Sequence, residues 1–337
     1  MKRIAHSRTP GELALIEAVR RQAARVPGPA SLRLGIGDDC AILRPRPGHE
    51  ICVTTDFTLE GVHFRRDWHP PESVGHRCLA RGLSDLAAMG ARPIAVFLSI
   101  ALPERLPSRW IEKFLNGFLS LAERHRAPLA GGDTAASATG TIAADIVAMG
   151  EVPAGSGLLR SGARPGDALY VTGALGGAAA ELRRITRNPR RFSRILEATP
   201  GHPHLYPEPR LAVGRRLRGL AHAAIDISDG LSTDLTHLCE ESGVAAVLEE
   251  ALLPIHPLAS ENPEALELAL HGGEDYELLF TAGLRDRVPR SVAGVPIRRI
   301  GVIRKRRPGQ PLIVLSSPDG SRLPISAAGW QHFARER

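Results

Sequence analysis

The sequence predicts an α+β protein of two domains. Three observations carry that prediction. Aliphatic strand patterns and helical patterns alternate through the N-terminal half in an order that suits a sheet with helices on one face. A turn-rich stretch, Glu151 to Gly166, interrupts them near the middle of the chain. A length of 337 residues suits two domains better than one. We place the domains at 1–152 and 153–337, both α+β.

The first expected element is an amphipathic helix from Gly11 to Ala24, with Leu13, Ile16, Ala18 and Val19 on its apolar side. After a Pro/Gly loop comes Leu34-Gly35-Ile36-Gly37-Asp38-Asp39-Cys40-Ala41-Ile42-Leu43. Two acids interrupt an apolar run there, which points to a ligand-holding turn between buried residues; a solvated tight turn is the alternative. Ile51 to Asp56 reads as a strand ending in three oxygen donors, Thr54, Thr55 and Asp56, and His63 follows on a loop. Pro70-Pro71-Glu72 opens a helix that runs to Met89 and stops at Gly90. Asp85 lies among apolar residues of that helix. A buried unpaired carboxylate is costly, so a cation is expected beside it, or Arg81 one turn earlier. Ile94 to Leu102 is a strand. Pro107 to Arg126 is a helix with Trp110, Phe114, Leu115, Phe118 and Leu121 inward. Leu129 to Thr134 again runs strand, glycines, acid, ending at Gly132-Asp133-Thr134, and Thr141 to Gly150 is a further strand containing Asp145.

Arg160 sits in the turn-rich junction. A strand at Ala168 to Thr172 and a small-residue helix from Gly173 follow, then a basic stretch from Arg183 to Gly201 that carries no motif. His202-Pro203-His204-Leu205-Tyr206-Pro207-Glu208-Pro209-Arg210 leads into a helix at Leu211 to Leu220. Ala223 to Ile227 reads as a buried strand, and Leu231, Leu235 and Leu238 recur at helical spacing until Gly243. Val244 to Glu249 is a strand and Leu266 to Leu270 belongs to a helix. Gly272-Gly273-Glu274-Asp275 precedes another apolar strand, two strand patterns lie at 297–303 and 311–315, and Gly329-Trp330-Gln331-His332-Phe333 comes near the end.

The most informative stretch is Asp226-Ile227-Ser228-Asp229-Gly230. Two carboxylates and a hydroxyl gather where a strand hands over to a helix, and Gly230 permits the sharp turn. Such hard oxygen donors suit Mg²⁺, at a helix start where phosphate is also favoured. Simple helix capping by Ser228 or Asp229 is the alternative. Asp39, Asp56, Asp85 and Asp133 stand at comparable places, so one or more Mg²⁺ sites serving a phosphate-bearing substrate explain all six acids together. Arg160 could add a phosphate clamp.

Composition narrows the classes. The net charge is +7, yet Lys occurs only at 2, 113 and 305, and the short basic runs carry no interleaved aromatics, so nucleic-acid binding is not expected. There is no P-loop G-x-x-x-x-G-K-[ST] and no protein-kinase motif. The four cysteines, Cys40, Cys52, Cys78 and Cys239, lack metal-ligand spacing and read as buried free thiols in a reducing compartment. No apolar run approaches ~18 residues and no signal peptide is apparent. The expectation is a soluble, cytoplasmic protein that does not bind membrane.

The stretches GIGDDCAIL, TTDFTLEGVHF, LSDLAAMGA, GGDT, RSGARPGD, IDISDGLSTDL, GGEDYELLF and GWQHF span nearly the whole chain. In that order they resemble the thiamine-monophosphate kinases, of the superfamily that also holds aminoimidazole ribonucleotide synthetase and selenophosphate synthetase. The resemblance implies two α+β domains with ATP in a cleft between them, and a homodimer formed by pairing the N-terminal sheets. It implies Mg²⁺ contacts at Asp39, Thr54, Thr55, Asp56, Asp85, Asp133, Asp226 and Asp229, with Asp39, Asp226 and Asp229 counted as catalytic. It implies ATP contacts at Gly132, Arg160 and Ser228, and thiamine-phosphate contacts at His63, Glu274 and Trp330. The segment His202 to Arg210 departs from the family pattern, which has a basic residue before His-Leu and an Arg before the first Pro, so no phosphate contact is assigned there. The implied reaction takes ATP and thiamine monophosphate to ADP and thiamine diphosphate. The alternatives are another ATP-dependent enzyme of the superfamily and a non-catalytic Mg–nucleotide sensor. The selenophosphate member would want a reactive cysteine near the N-terminus, whereas the first cysteine here is Cys40, inside the aliphatic turn; the hydrogenase-maturation member would want a C-terminal cysteine, whereas this sequence ends Ala-Arg-Glu-Arg.

Overall fold

A computed structural model describes residues 12–199 and 201–330. Gly11, the side chain of Leu13, and Gln331, His332 and Phe333 lie outside the described residues. The chain divides into two compact units, one of residues 12–86, 92–154 and 185–199, the other of residues 87–91, 155–184 and 201–330.

The first unit is built on the four-stranded sheet β3-β6-β4-β5. Its elements are α1 (Glu12–Ala23), β1 (Leu32–Leu34), β2 (Ile42–Leu43), β3 (His49–Leu59), α2 (Pro71–Ala88), β4 (Arg92–Leu102), α3 (Ser108–His125), β5 (Leu129–Ala136) and β6 (Ala143–Pro153). β4 and β5 are parallel and joined through α3, while β6 pairs antiparallel with both β3 and β4. α3 turns Trp110, Phe114, Leu115, Phe118 and Leu121 inward as its periodicity predicts, and ends where Arg126 takes a left-handed φ of 53°. α2 and α3 cross closely at Gly75 and Gly117, where any Cβ would run into the other helix's backbone. α2 also lies on the sheet face that carries Thr54, Ile146 and Ala148. The opposite face leaves Val53 58% and Phe57 60% exposed on β3, an edge strand of eleven residues.

Three expectations need correction here. The strand containing Thr54 to Asp56 does not end there. It continues to Leu59, so the oxygen donors lie mid-strand and alternate between faces. The Asp38-Asp39 turn is not set among buried residues, because β1 and β2 form a separate two-stranded sheet too small to cover the turn joining them; Asp38, Asp39, Cys40 and Ile42 are all exposed. Of the cysteines, Cys78 and Cys239 are buried, with their thiols pushed up to about 12 by burial, whereas Cys40 is exposed and Cys52 only partly covered.

The second unit centres on an eight-stranded sheet. Its elements are β7 (Ala168–Thr172), α4 (Gly177–Arg187), α5 (Pro189–Phe192), α6 (Leu211–Leu217), β8 (Ala223–Ile227), α7 (Leu231–Ser242), β9 (Val244–Glu249), α8 (Pro257–Ser260), α9 (Ala265–His271), β10 (Glu277–Ala282), β11 (Ser291–Val292), β12 (Val295–Lys305), β13 (Ile313–Ser316) and β14 (Arg322–Ile325). By the division above, the last turn of α4 and all of α5 fall in the first unit. The strand order is β14-β13-β9-β12-β7-β10-β8, with β11 paired to β12. All pairings are antiparallel except β13 with β9. Val171, Ile225, Ile227, Leu235, Leu279 and Ile300 belong to its aliphatic core, with Leu231 and Leu238 of α7 packed into it. β14 has no counterpart in the sequence reading: it is a largely exposed edge strand containing Pro324, so it shows no burial pattern.

A buried ion-pair knot ties the first unit together. Glu151 on β6 is fully buried. It accepts hydrogen bonds from the Arg46 backbone N–H (3.0 Å) and Arg46 Nε (2.7 Å), from Arg92, and from the Ser31 hydroxyl at 3.4 Å. Burial pushes its carboxyl upward, but the Arg46 N–H and the Arg92 guanidinium outweigh burial and hold it at about 2, below the ordinary 4.5. A depressed value stabilises the fold above the ordinary carboxylate range, and that contribution is lost as pH falls from about 4.5 toward 2. Glu151→Gln should therefore cost about 2–3 kcal/mol at neutral pH, because it leaves two guanidinium groups without their counter-charge. Urea unfolding should also show a weaker acid dependence in the variant than in the wild type.

Candidate active site

In the second unit, the site is assembled around the turn that follows β8. Asp226 is buried on the strand, and Ser228 and Asp229 occupy the turn. Gly230 begins α7 at φ 115°, with the His271 carbonyl close to where a Cβ would stand. Asp234, in the first turn of α7, holds this turn. One of its oxygens, Oδ2, accepts from the backbone N–H groups of Ser228 (3.1 Å), Asp229 (3.1 Å) and Gly230 (3.0 Å). Burial pushes the Asp234 carboxyl up to about 8, and the charges of Asp226 and Asp229 push in the same direction.

Two further segments close on the turn. The loop before β10 lays Gly273 against the Ser228 carbonyl, and Glu274 N–H donates to that carbonyl at 2.7 Å. Glu274 and Tyr276 both take left-handed φ values, 67° and 50°, which is uncommon for residues with a side chain and fixes how the loop presents its acids. Glu274 Oε2 lies 3.1 Å from His204 Nδ1. Asp275 points the other way and accepts from Gly176 N–H (2.6 Å) and Ala178 N–H (3.1 Å) at the start of α4. Glu277 pairs with Arg210 and accepts from the Thr172 hydroxyl at 2.5 Å. The C-terminal segment docks through its backbone, with Trp330 N–H donating to the Asp229 carbonyl at 3.0 Å and Gly329 N–H to Thr233 Oγ1 at 3.1 Å. The Trp330 side keeps 52% of its surface exposed.

In the first unit, the structure brings Thr54, Asp56 and Asp85 together. The Thr54 hydroxyl donates to Asp85 Oδ2, and Arg81 Nε lies 3.7 Å from Asp56 Oδ1. Arg81, suggested by the sequence as a partner for Asp85, thus reaches Asp56. Burial pushes the Asp56 carboxyl up to about 7, with the charge of Asp85 acting in the same sense and Arg81 opposing both. Thr55 lies on the other face of the strand from Thr54 and Asp56. His63 Nδ1 accepts from Leu59 N–H at 3.0 Å, closing the turn after β3. Asp39 donates its N–H to the Asp38 carboxylate at 2.9 Å, and Asp133 accepts from Thr134 N–H at 2.8 Å; both acids are exposed. Gly132 follows the φ 153° that β5 needs to run beside the Leu98 carbonyl. Arg160 is exposed, and its carbonyl accepts from the Ser242 hydroxyl at 2.9 Å.

Among the described residues, no three His, Cys, Asp or Glu side chains form a ready-made cation cage. The donors present are carboxylates and hydroxyls. That chemistry fits Mg²⁺, which takes oxygen ligands and completes its shell with water and substrate phosphates rather than with protein alone. The sequence reading missed Asp234, Asp275 and His204. Asp234 carried a usable signal, an acid in the first turn of a helix; the other two depend on contacts distant in sequence.

Residues 37–152 match the family described as AIR synthase related protein, N-terminal domain, and residues 164–305 match AIR synthase related protein, C-terminal domain. The chain is thus an AIR synthase-related protein. Thiamine-monophosphate kinase of Escherichia coli (strain K12) is 39% identical over 311 residues, covering 90% of this chain and 93% of that one. The enzyme of the same name from Bacillus subtilis (strain 168) is 34% identical over 312 residues, covering 90% and 94%. The crystal structure of thiamine-monophosphate kinase from Stenotrophomonas maltophilia K279a aligns with a TM-score of 0.78 at 37% identity, covering 94% of this chain and 99% of that one. AaThiL complexed with AMPPCP and TMP aligns with a TM-score of 0.73 at 29% identity, covering 96% and 97%. The chain belongs to the thiamine-monophosphate kinase family.

The geometry of Asp234 separates two substitutions. Asp234→Asn keeps an acceptor oxygen for the three N–H groups and, near neutral pH, replaces a largely protonated carboxyl by a neutral amide, so stability should stay within about 1 kcal/mol of wild type. Asp234→Ala leaves those donors without their acceptor and should cost about 2–3 kcal/mol in urea unfolding, with a loss of activity. The folded-state value is raised, so the carboxyl's contribution is greatest below its unfolded value and is lost as pH rises through about 8. Asp234→Asn should therefore gain relative stability as pH increases.

Proposed function

We propose that this chain transfers the γ-phosphoryl group of ATP to thiamine monophosphate, giving ADP and thiamine diphosphate. The observation that carries the reading is the turn of Asp226, Ser228 and Asp229, with Glu274 and Trp330 held against it by backbone hydrogen bonds. What supports the reading is that these five residues, to which the family resemblance gives cation, nucleotide and acceptor contacts, adjoin one another in a chain 39% identical over 90% of its length to a thiamine-monophosphate kinase.

In this reading Asp39, Thr54, Thr55, Asp56, Asp85, Asp133, Asp226 and Asp229 would contribute the Mg²⁺ contacts. Bound Mg²⁺ would supply neutralisation of the triphosphate charge. Gly132, Arg160 and Ser228 orient the nucleotide, the Arg160 guanidinium being suited to a phosphate. His63, Glu274 and Trp330 orient the acceptor. An oxygen of the acceptor's phosphate attacks the γ-phosphorus; the bond from that phosphorus to the bridging oxygen breaks, and ADP leaves with the electron pair. The attacking group is already ionised at neutral pH, so positioning and charge neutralisation suffice without a strong general base.

A homodimer belongs to the same proposal. The exposed apolar side chains of Val53 and Phe57 stand on a long edge strand, a combination that favours burial against another copy. ATP as donor supports a cytoplasmic reaction as part of this proposal. No helix among the described residues is long and apolar enough to cross a membrane.

ADP release measured with and without thiamine monophosphate tests the activity. Release should require both the acceptor and Mg²⁺, stop with EDTA and return when Mg²⁺ is restored. Hydrolysis of ATP at the same rate without the acceptor would overturn the assignment. Trp330 offers a test of substrate placement. Its exposed ring is suited to a cationic thiazolium, so Trp330→Ala should raise KM for thiamine monophosphate about three- to thirtyfold and leave KM for ATP nearly unchanged. A parallel rise in both KM values would assign Trp330 a general structural role.

A further inference from the structure

We infer that His204 is a positioning residue for the acceptor: its ring holds the Glu274 carboxylate in place, and the buried Glu181 holds His204. The inference rests on the proposal that Glu274 contacts thiamine monophosphate, and it concerns the segment where the sequence departs from the family pattern.

Three observations support it. First, His204 is only 2% exposed, and its Nδ1 stands 3.1 Å from Glu274 Oε2. A carboxylate can only accept, so the ring presents Nδ1–H to it. Second, the ring's place is set from behind. Glu181, on α4 and 1% exposed, accepts from the His204 N–H at 2.7 Å and the Leu205 N–H at 3.3 Å through Oε2, while Oε1 lies 2.5 Å from His202 Nδ1. A buried carboxylate with several donors is a rigid anchor, because releasing any donor leaves it poorly satisfied. Third, the same helix holds the neighbouring residue. Asp275 accepts from the N–H groups of Gly176 and Ala178 at the start of α4. Both acids of the Gly272-Gly273-Glu274-Asp275 loop are thus referenced to one helix, Asp275 directly and Glu274 through His204. The Glu274 backbone is left-handed, with φ 67°, and its N–H is held separately by the Ser228 carbonyl at 2.7 Å, so the His204 contact acts on the side chain.

The consequence is selective. Loss of the His204 ring nitrogen should let the Glu274 side chain move and weaken acceptor binding, while nucleotide binding, assigned to Gly132, Arg160 and Ser228, should be little affected. The test is a set of variants assayed for both KM values. His204→Ala should raise KM for thiamine monophosphate about tenfold, with KM for ATP within about twofold of wild type. Combined with Glu274→Gln it should add almost nothing to the effect of Glu274→Gln alone, because both substitutions remove the same contact. His204→Asn, whose amide nitrogen lies near the place of Nδ1, should recover most of the loss, and His204→Gln, whose nitrogen lies near the place of Nε2, should not. The Asn and Gln variants decide the matter if His204→Ala fails to fold. An unchanged KM in His204→Ala alongside a raised one in Glu274→Gln would overturn the positioning role and leave Glu274 in place. Multiplying effects in the double variant, or equal rescue by Asn and Gln, would also overturn it. An unchanged KM in Glu274→Gln would instead remove the acceptor assignment on which the inference rests.

Discussion

Three backbone N–H groups converge on one oxygen of Asp234, and the geometry of the second unit's site depends on that convergence. A turn rich in small and polar residues would otherwise sample several backbone conformations. Held this way, it fixes where Asp226, Ser228 and Asp229 project. It also offers the Ser228 and Asp229 carbonyls at fixed positions, and those carbonyls receive Glu274 and Trp330. One buried carboxylate therefore sets the position of segments separated by about a hundred residues of sequence.

The arrangement has an electrostatic cost. Asp234 stands close enough to Asp226 and Asp229 for their charges to raise its affinity for a proton, and Asp56 is raised in the same way by burial and Asp85. Acids are placed where they repel each other only when something else favours the arrangement. Helix capping accounts for Asp275, whose oxygens receive the first N–H groups of α4, and ion pairing accounts for Glu151 and Glu277. Arg81 stands beside Asp56, yet burial and the charge of Asp85 still hold that carboxyl above its ordinary value, as burial with Asp226 and Asp229 does for Asp234. Divalent cations shared with phosphate oxygens would offset the repulsion within each unit.

Much of this was legible in the sequence, for identifiable reasons. The aliphatic strand at Ala223–Ile227 and the leucine spacing of α7 locate the turn after Ile227, whereas the exposed edge strand β14 left no such pattern. The face of β3 on which each donor lies was not legible, because Thr54-Thr55-Asp56 looks like a strand end until its continuation through Phe57 to Leu59 is seen. The exposure of the Asp38-Asp39 turn is not legible either, because apolar neighbours in sequence do not imply burial when the strands they form have almost no sheet around them. The role of His204 is not legible in the sequence because it lies in two contacts, with Glu181 and Glu274, that no local pattern encodes.

The central claim is that the carboxylates of the turn after β8 are there to share a cation with phosphate. Thermal unfolding of the wild type and of an Asp226→Asn/Asp229→Asn double variant, each with and without millimolar Mg²⁺ and without nucleotide, addresses it most directly. Without Mg²⁺ the double variant should unfold no lower than the wild type, because the repulsion on Asp234 is relieved. Mg²⁺ should raise the midpoint of the wild type, and the gain should shrink clearly in the variant. The same gain in both proteins, or a variant that is markedly less stable without Mg²⁺, would contradict the account.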